Sequence, residues 1–182
     1  LNAHMSPNEK EIITTIHMGG RPKIAAFSLT GNFKGIVSRS NSEDTNASWG
    51  KNGEYIVYSS NSKDVGRQVY IMHRELGKVS RVSYAKSNNC FAPKWSPSED
   101  RIIFVCDLNG YQIFLADLSG DDAVQLTFKG NNFEPDWAPD GRSFVYSSDF
   151  GLSGSPLNLG IFSLISLTSQ KITNSSEGDY VQ

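Results

Sequence analysis

Three histidines, two cysteines and one glycine–serine stretch are the residues of this chain whose types could do chemistry. His4, His17 and His73 lie far apart, with no HxH or HExxH spacing. A metal would need them to converge with acids from distant parts of the fold. They are therefore read as surface or loop histidines, and neither a metal nor a cofactor is assigned. Gly151-Leu152-Ser153-Gly154-Ser155 approaches a nucleophile elbow but lacks the final glycine. It also falls in a connection rather than a strand-to-helix turn, so no catalytic residue is assigned. Cys90 and Cys106 form neither a CxxC motif nor a disulfide framework. A cross-strand bond in an oxidising compartment is one reading. Two separate thiols, with Cys106 as a small core residue, is the preferred one.

Composition narrows the classes. With 38% hydrophobic and 11% aromatic residues, the 182-residue chain can bury a core as one domain. A formal net charge of −2 with interspersed signs excludes the basic footprint of a nucleic-acid binder. No window approaches eighteen consecutive apolar residues, so no helical membrane span is expected. Leu1-Asn2-Ala3-His4-Met5 has neither a charged n-region nor an apolar h-region, and is read as lacking a signal peptide or having lost one.

The elements that must position any site come from a repeat. Met5, Trp49, Trp95 and Trp137 follow one another at intervals of 44, 46 and 42 residues. Phe91-Ala92-Pro93-Lys94-Trp95-Ser96-Pro97 matches Phe133-Glu134-Pro135-Asp136-Trp137-Ala138-Pro139 position by position. Leu1 to Pro7 is a degraded copy with Met5 in the tryptophan slot, and Thr45 to Gly50 keeps the tryptophan but loses both prolines. After each anchor comes a hairpin corner, as in Ala138-Pro139-Asp140-Gly141, where proline presets φ and glycine accepts a positive one.

Second strands are expected at 12–16, 55–58, 102–106 and 144–146. Third strands are expected at 24–27, 68–72, 112–116 and 161–164, and fourth strands at 35–38, 79–83, 123–127 and 171–173. Ser6-Pro7-Asn8-Glu9 also reads as a helix start. The β-branched run Ile12-Ile13-Thr14-Thr15-Ile16 and the repeat register outweigh it.

A period of this size with four strands is that of a propeller blade. The expected fold is all-β: a single β-propeller domain of four-stranded antiparallel blades, with repeats at roughly 1–44, 45–90, 91–132 and 133–182. A blade needs cover on both faces. Each bare end of an open arc would expose ~400 Å² of apolar area, about 10 kcal/mol. A closed small ring, self-association into a larger ring, or a place within a longer propeller would each remove it. Tyr180, in the slot of Phe133, leaves the chain in phase for another anchor.

Pro135-Asp136-Trp137-Ala138-Pro139-Asp140-Gly141-Arg142, together with Gln112-Ile113-Phe114 and Gln125-Leu126-Thr127, resembles the TolB-type, WD-like propeller repeat family. The resemblance implies a non-enzymatic interaction module of the periplasm, in the Tol–Pal envelope system, whose partner is a peptidoglycan-associated lipoprotein or another envelope protein. The alternative it carries is the propeller of a TolB-like hydrolase or lyase that gates substrate or holds a metal. Two departures stand out. Glu9 and Glu99 occupy the corner held by Gly53 and Gly141, and the N-terminal α/β domain of the family's periplasmic member is absent from these residues.

The inter-blade connections are polar: Asn41-Ser42-Glu43-Asp44, Ser87-Asn88-Asn89, Gly130-Asn131-Asn132 and Glu177-Gly178-Asp179. They should share a face with the second-to-third connections and surround the channel mouth. Asp44, Asn89, Asn132, Glu134 and Asp179 are the expected partner-binding residues. On the same face the connection 149–160 carries Leu152, Leu157 and Leu159, which are expected to tuck against their own blade.

Overall fold

Short β-branched and aromatic runs, bounded by Gly, Pro, Asn and Asp, favour antiparallel hairpins. In a computed structural model, which describes residues 3–174 apart from 39, 40, 51, 63–65, 84–86, 88, 122 and 153, they make four four-stranded meanders. The first sheet holds β1 (Ala3–Met5), β2 (Glu11–Met18), β3 (Arg21–Ser28) and β4 (Phe33–Ile36). The second holds β5 (Glu43–Trp49), β6 (Tyr55–Ser62), β7 (Gly66–His73) and β8 (Val79–Arg81). In the third are β9 (Cys90–Trp95), β10 (Arg101–Asp107), β11 (Tyr111–Asp117) and β12 (Val124–Gln125). The fourth is β13 (Asn132–Trp137), β14 (Ser143–Ser148), β15 (Asn158–Ser163) and β16 (Thr168–Lys171). No described residue is helical, and the run from Ile12 to Ile16 is strand.

The corners divide as their residues dictate. The N–H of Gly53 and of Gly141 donates back to the carbonyl three residues earlier, with φ of 73° and 68°. Glu9 copies this geometry, donating to the Ser6 carbonyl at 2.9 Å with φ of 55°. A side chain is thus held in the left-handed region that glycine occupies freely. Glu99 does not enter that region, and its N–H instead meets the Ser96 hydroxyl at 3.4 Å.

Three apolar cores lie between consecutive sheets. Ile13, Ile24 and Ala26 meet Trp49, Ile56 and Met72 between the first and second. Val57, Val69 and Ile71 meet Trp95, Phe104 and Phe114 between the second and third. Ile103, Val105 and Ile113 meet Phe144, Tyr146 and Phe162 between the third and fourth. The first strands β1, β5, β9 and β13 pack in succession along the inner side of this arc. Being edge strands, β9 and β13 tolerate Pro93 and Pro135.

The anchor tryptophans staple the sheets together. Trp49 Nε1 donates to the His4 carbonyl at 3.0 Å, and Trp137 Nε1 to the Lys94 carbonyl at 3.1 Å. Each indole thereby reaches the inner strand of the preceding sheet. Trp95 departs from the pattern: its buried Nε1 has no partner, and its backbone N–H meets Ser48 Oγ at 3.5 Å.

Among the described residues, no apolar core joins the fourth sheet to the first. Their outward faces keep apolar side chains in view. Met5, Ile12, Phe27 and Phe33 stand in register on one, with Met5 53% and Phe33 56% exposed. The opposed pair Val145 and Ile161, with Leu159, stands partly exposed on the other.

Candidate functional site

The mouth is expected where the inner strands begin, and the connections there are held from below. Lys23 Nζ on β3 donates to the Ser42 carbonyl at 2.6 Å. Gln68 Nε2 on β7 donates to the Ser87 carbonyl, and Gln112 Nε2 on β11 to the Gly130 carbonyl, both at 2.8 Å. In each case a long third-strand side chain fixes the connection that enters the next sheet. The connection after β12 is tied in addition to the loop after β14. Asp149 accepts the Asn131 N–H and the Asn131 side-chain amide, each at 2.8 Å. Burial works against the Asp149 carboxylate, but the N–H groups of Gly151 and Asn131 hold it below the ordinary carboxylate range. Gly130 is required here, because a Cβ on it would lie 1.9 Å from Asp149 Oδ1.

Below the connections, each of β5, β9 and β13 carries a one-residue bulge. Asn46, Ala92 and Glu134, three places before their anchors, have φ of 53°, 50° and 49°. The bulge resets the pairing on its far side. Counted straight from the pair Trp95–Ile102, Cys90 would fall opposite Asp107; the extra residue brings it opposite Cys106. The same slip brings Asp44 opposite Ser60 and Asn132 opposite Ser148.

Three equivalent cross-strand pairs result, and all three are closed and buried. Ser60 Oγ donates to Asp44 Oδ1 at 2.6 Å, Cys90 and Cys106 form a disulfide, and Ser148 Oγ donates to Asn132 Oδ1 at 2.8 Å. The expectation of two separate thiols is corrected: bulged register places them side by side and they are bonded. Asp44 also pairs with Lys23 at 3.4 Å. Burial, with the Asp44 carboxylate and Tyr70 adding to it, raises the Tyr58 phenol well above its ordinary value.

The five residues expected at the mouth thus occupy different environments. Asp44 is fully buried and Asn132 is 2% exposed; the Asn132 amide also donates to the carbonyls of Tyr111 and Lys129 and to Gln112 Oε1. Asn89 is half-buried, with its N–H on Ser87 Oγ at 3.1 Å and its carbonyl accepting from the Asp107 N–H at 3.0 Å. Glu134 is exposed on the bulge of β13. Asp179 lies outside the described residues, as does Ser153 of the near-elbow. Of the leucines, Leu152 is 61% exposed, whereas Leu157 is partly buried and Leu159 belongs to β15.

The clamps Lys23, Gln68 and Gln112 and the partners Ser60 and Ser148 were not singled out from sequence. The repeat alignment held the signal, since Asp44, Cys90 and Asn132 share one column and Ser60, Cys106 and Ser148 another. Among the described residues, no three His, Cys, Asp or Glu side chains gather as a metal site. His17 is exposed and His73 packs against Tyr55, but His4 stands on an inner strand with Nδ1 buried.

Solved structures share this fold. TolB from Acinetobacter baumannii superposes with a TM-score of 0.79 at 21% identity, over 98% of this chain and 45% of that one. A putative TolB from Agrobacterium tumefaciens gives 0.81 at 16%, over 93% and 63%. An oligogalacturonate lyase in complex with manganese gives 0.70 at 14%, over 94% and 52%. The chain spans about half the length of the structures it matches. At such identities the likeness is one of fold. Residues 2–170 match the family model of the TolB beta propeller domain, and with its four antiparallel meanders and stapled inner strands the chain belongs to that family.

Proposed function

We propose that this chain is a non-enzymatic interaction propeller that receives a protein partner at the channel mouth. Glu134 carries the reading: an exposed carboxylate on a left-handed bulge residue of an inner strand, beside polar connections clamped in place. Residues held in sparsely populated backbone regions cluster at functional sites. Glu134, Asn89 and Asp179 supply the rim in this proposal, and Asp44 and Asn132 set its shape from beneath. The partner is an envelope protein, in first place a peptidoglycan-associated lipoprotein, and the compartment is the periplasm. Kinship with the TolB propeller supports both. The Cys90–Cys106 bond suits an oxidising compartment.

Capture from envelope extracts by the Glu134→Lys and Asp179→Lys variants tests the site. Weakened capture at an unchanged Tm is expected; capture unaffected by both removes the assignment. Metal analysis of the purified chain separates this reading from a lyase or hydrolase propeller, for which stoichiometric manganese or zinc would speak.

A further inference from the structure

Three rings meet where the third sheet faces the fourth, with Tyr111 as their hub. The Tyr111 ring centroid lies 5.7 Å from that of Phe91 on β9 and 4.9 Å from that of Phe133 on β13. Phe91 and Tyr111 rest on the core that holds Val105, Ile113 and Phe144, whereas Phe133 belongs to none of the three cores. All three side chains are only half-buried. The hub is fixed through its backbone. The Tyr111 N–H donates to Asn131 Oδ1 at 3.3 Å, and its carbonyl accepts from Asn132 Nδ2 at 3.1 Å.

A carboxylate stands beside the rings. Asp107 lies directly opposite Tyr111 across β10 and β11. Residues paired in this way share a sheet face, with Cβ atoms about 5 Å apart. Phe91 reaches the same face through its pairing with Val105, two residues before Asp107. Asp107 is exposed and, among the described residues, its carboxylate pairs with no cation. Glu134, the neighbour of Phe133 on the bulge, is exposed and unpaired in the same way. Lys129, in the connection leading to β13, lies beside the loop after β14, its Cβ 3.7 Å from where a Cβ on Gly151 would stand.

We propose that Tyr111, Phe133 and Asp107 form a subsite for a basic side chain, in first place arginine, presented by the protein partner. An aromatic face attracts a cation, and a carboxylate beside it adds a charge-assisted hydrogen bond. A guanidinium meets both demands, because it stacks on rings and pairs with carboxylates. Sugars and prolines also stack on rings, but neither answers two unpaired carboxylates. The inference rests on the mouth reading above and names the chemistry of what enters there.

The test is an NMR titration of the full 182-residue chain with acetyl-argininamide, following the Tyr111 and Phe133 ring resonances. Saturable shifts that weaken with added salt are expected. Acetyl-citrullinamide, which keeps the shape and loses the charge, should not produce them. Asp107→Asn and Phe133→Leu should each weaken binding about fivefold at an unchanged Tm, while Tyr111→Phe keeps the ring face and retains it. A merely structural role for Asp107 does not discriminate arginine from citrulline. Shifts of equal size with acetyl-citrullinamide, no saturable shift at these rings, or full-strength binding by Asp107→Asn each overturn the proposal. So does a lower midpoint for glucose or acetyl-prolinamide than for the arginine probe. Such a failure leaves the mouth reading standing, since that is decided by capture with the Glu134→Lys and Asp179→Lys variants.

Discussion

The inner strands are built differently at their two ends. At the mouth, the polar column five places before the anchors is closed in every described sheet that carries it: a carboxylate on a hydroxyl, a disulfide, an amide on a hydroxyl. At the hairpin end, the polar column one place before the anchors holds a partly exposed ion pair and an orphaned imidazole nitrogen. Buried polar groups are ordinarily satisfied, so the closed column follows the rule and the buried His4 nitrogen is its exception. Polarity alone does not separate them, and burial with partner count does.

The largest effect should come from opening the closed end. Asp44→Ala leaves Lys23 and Ser60 facing an empty buried position, and urea unfolding should register a loss of about 3 kcal/mol. Glu134→Ala, exposed on its bulge, should change stability little in the same experiment.

A second contrast lies within the anchors. Trp137→Phe removes the indole hydrogen bond to the Lys94 carbonyl, whereas Trp95→Phe removes an indole N–H that has no partner. The first should therefore cost more than the second by about 1 kcal/mol beyond their shared loss of area. Equal losses would deny the stapling role.

The hairpin corners give a smaller effect of opposite sign. Glu9→Gly relieves a left-handed non-glycine residue, less the added chain entropy of glycine, and should raise stability by about 0.5 kcal/mol, while Glu99→Gly, with no such residue to relieve, should not. Thermal unfolding of the pair reads the difference directly.

The smallest is a pH dependence at the hairpin end. The folded pKa of His4 is depressed, so the unfolded chain binds the proton more readily. Stability from this group is full above the unfolded value, about 6.5, and declines as pH falls from there toward the folded pKa. His4→Gln should flatten that part of the stability profile.

Much of this architecture could be read from the chain. The tryptophan period, the proline–glycine corners and the β-branched runs are local signals, and they place the second and third strands to within a few residues. Ile12 to Ile16 is strand because its branching and its register agree against a helix-like start. The site was less legible for a physical reason. Asp44 and Asn132 lie in polar connections that look exposed, and their burial depends on cross-strand partners sixteen residues away. Those partners come into register only through the bulges at Asn46 and Glu134, which leave no sequence mark comparable to a glycine corner. For the cysteines the cross-strand bond was one of two readings, and the bulge decides for it by setting Cys90 opposite Cys106 instead of Asp107.

The account rests on three cross-strand pairs being one structural slot. The most direct test is to write the third sheet's solution into the fourth, as Asn132→Cys with Ser148→Cys, and to count free thiols and map cross-linked peptides by mass spectrometry. The prediction is a second disulfide that forms under the same conditions as Cys90–Cys106, leaving no free thiol. Two thiols that stay reduced while Cys90 and Cys106 oxidise would contradict it.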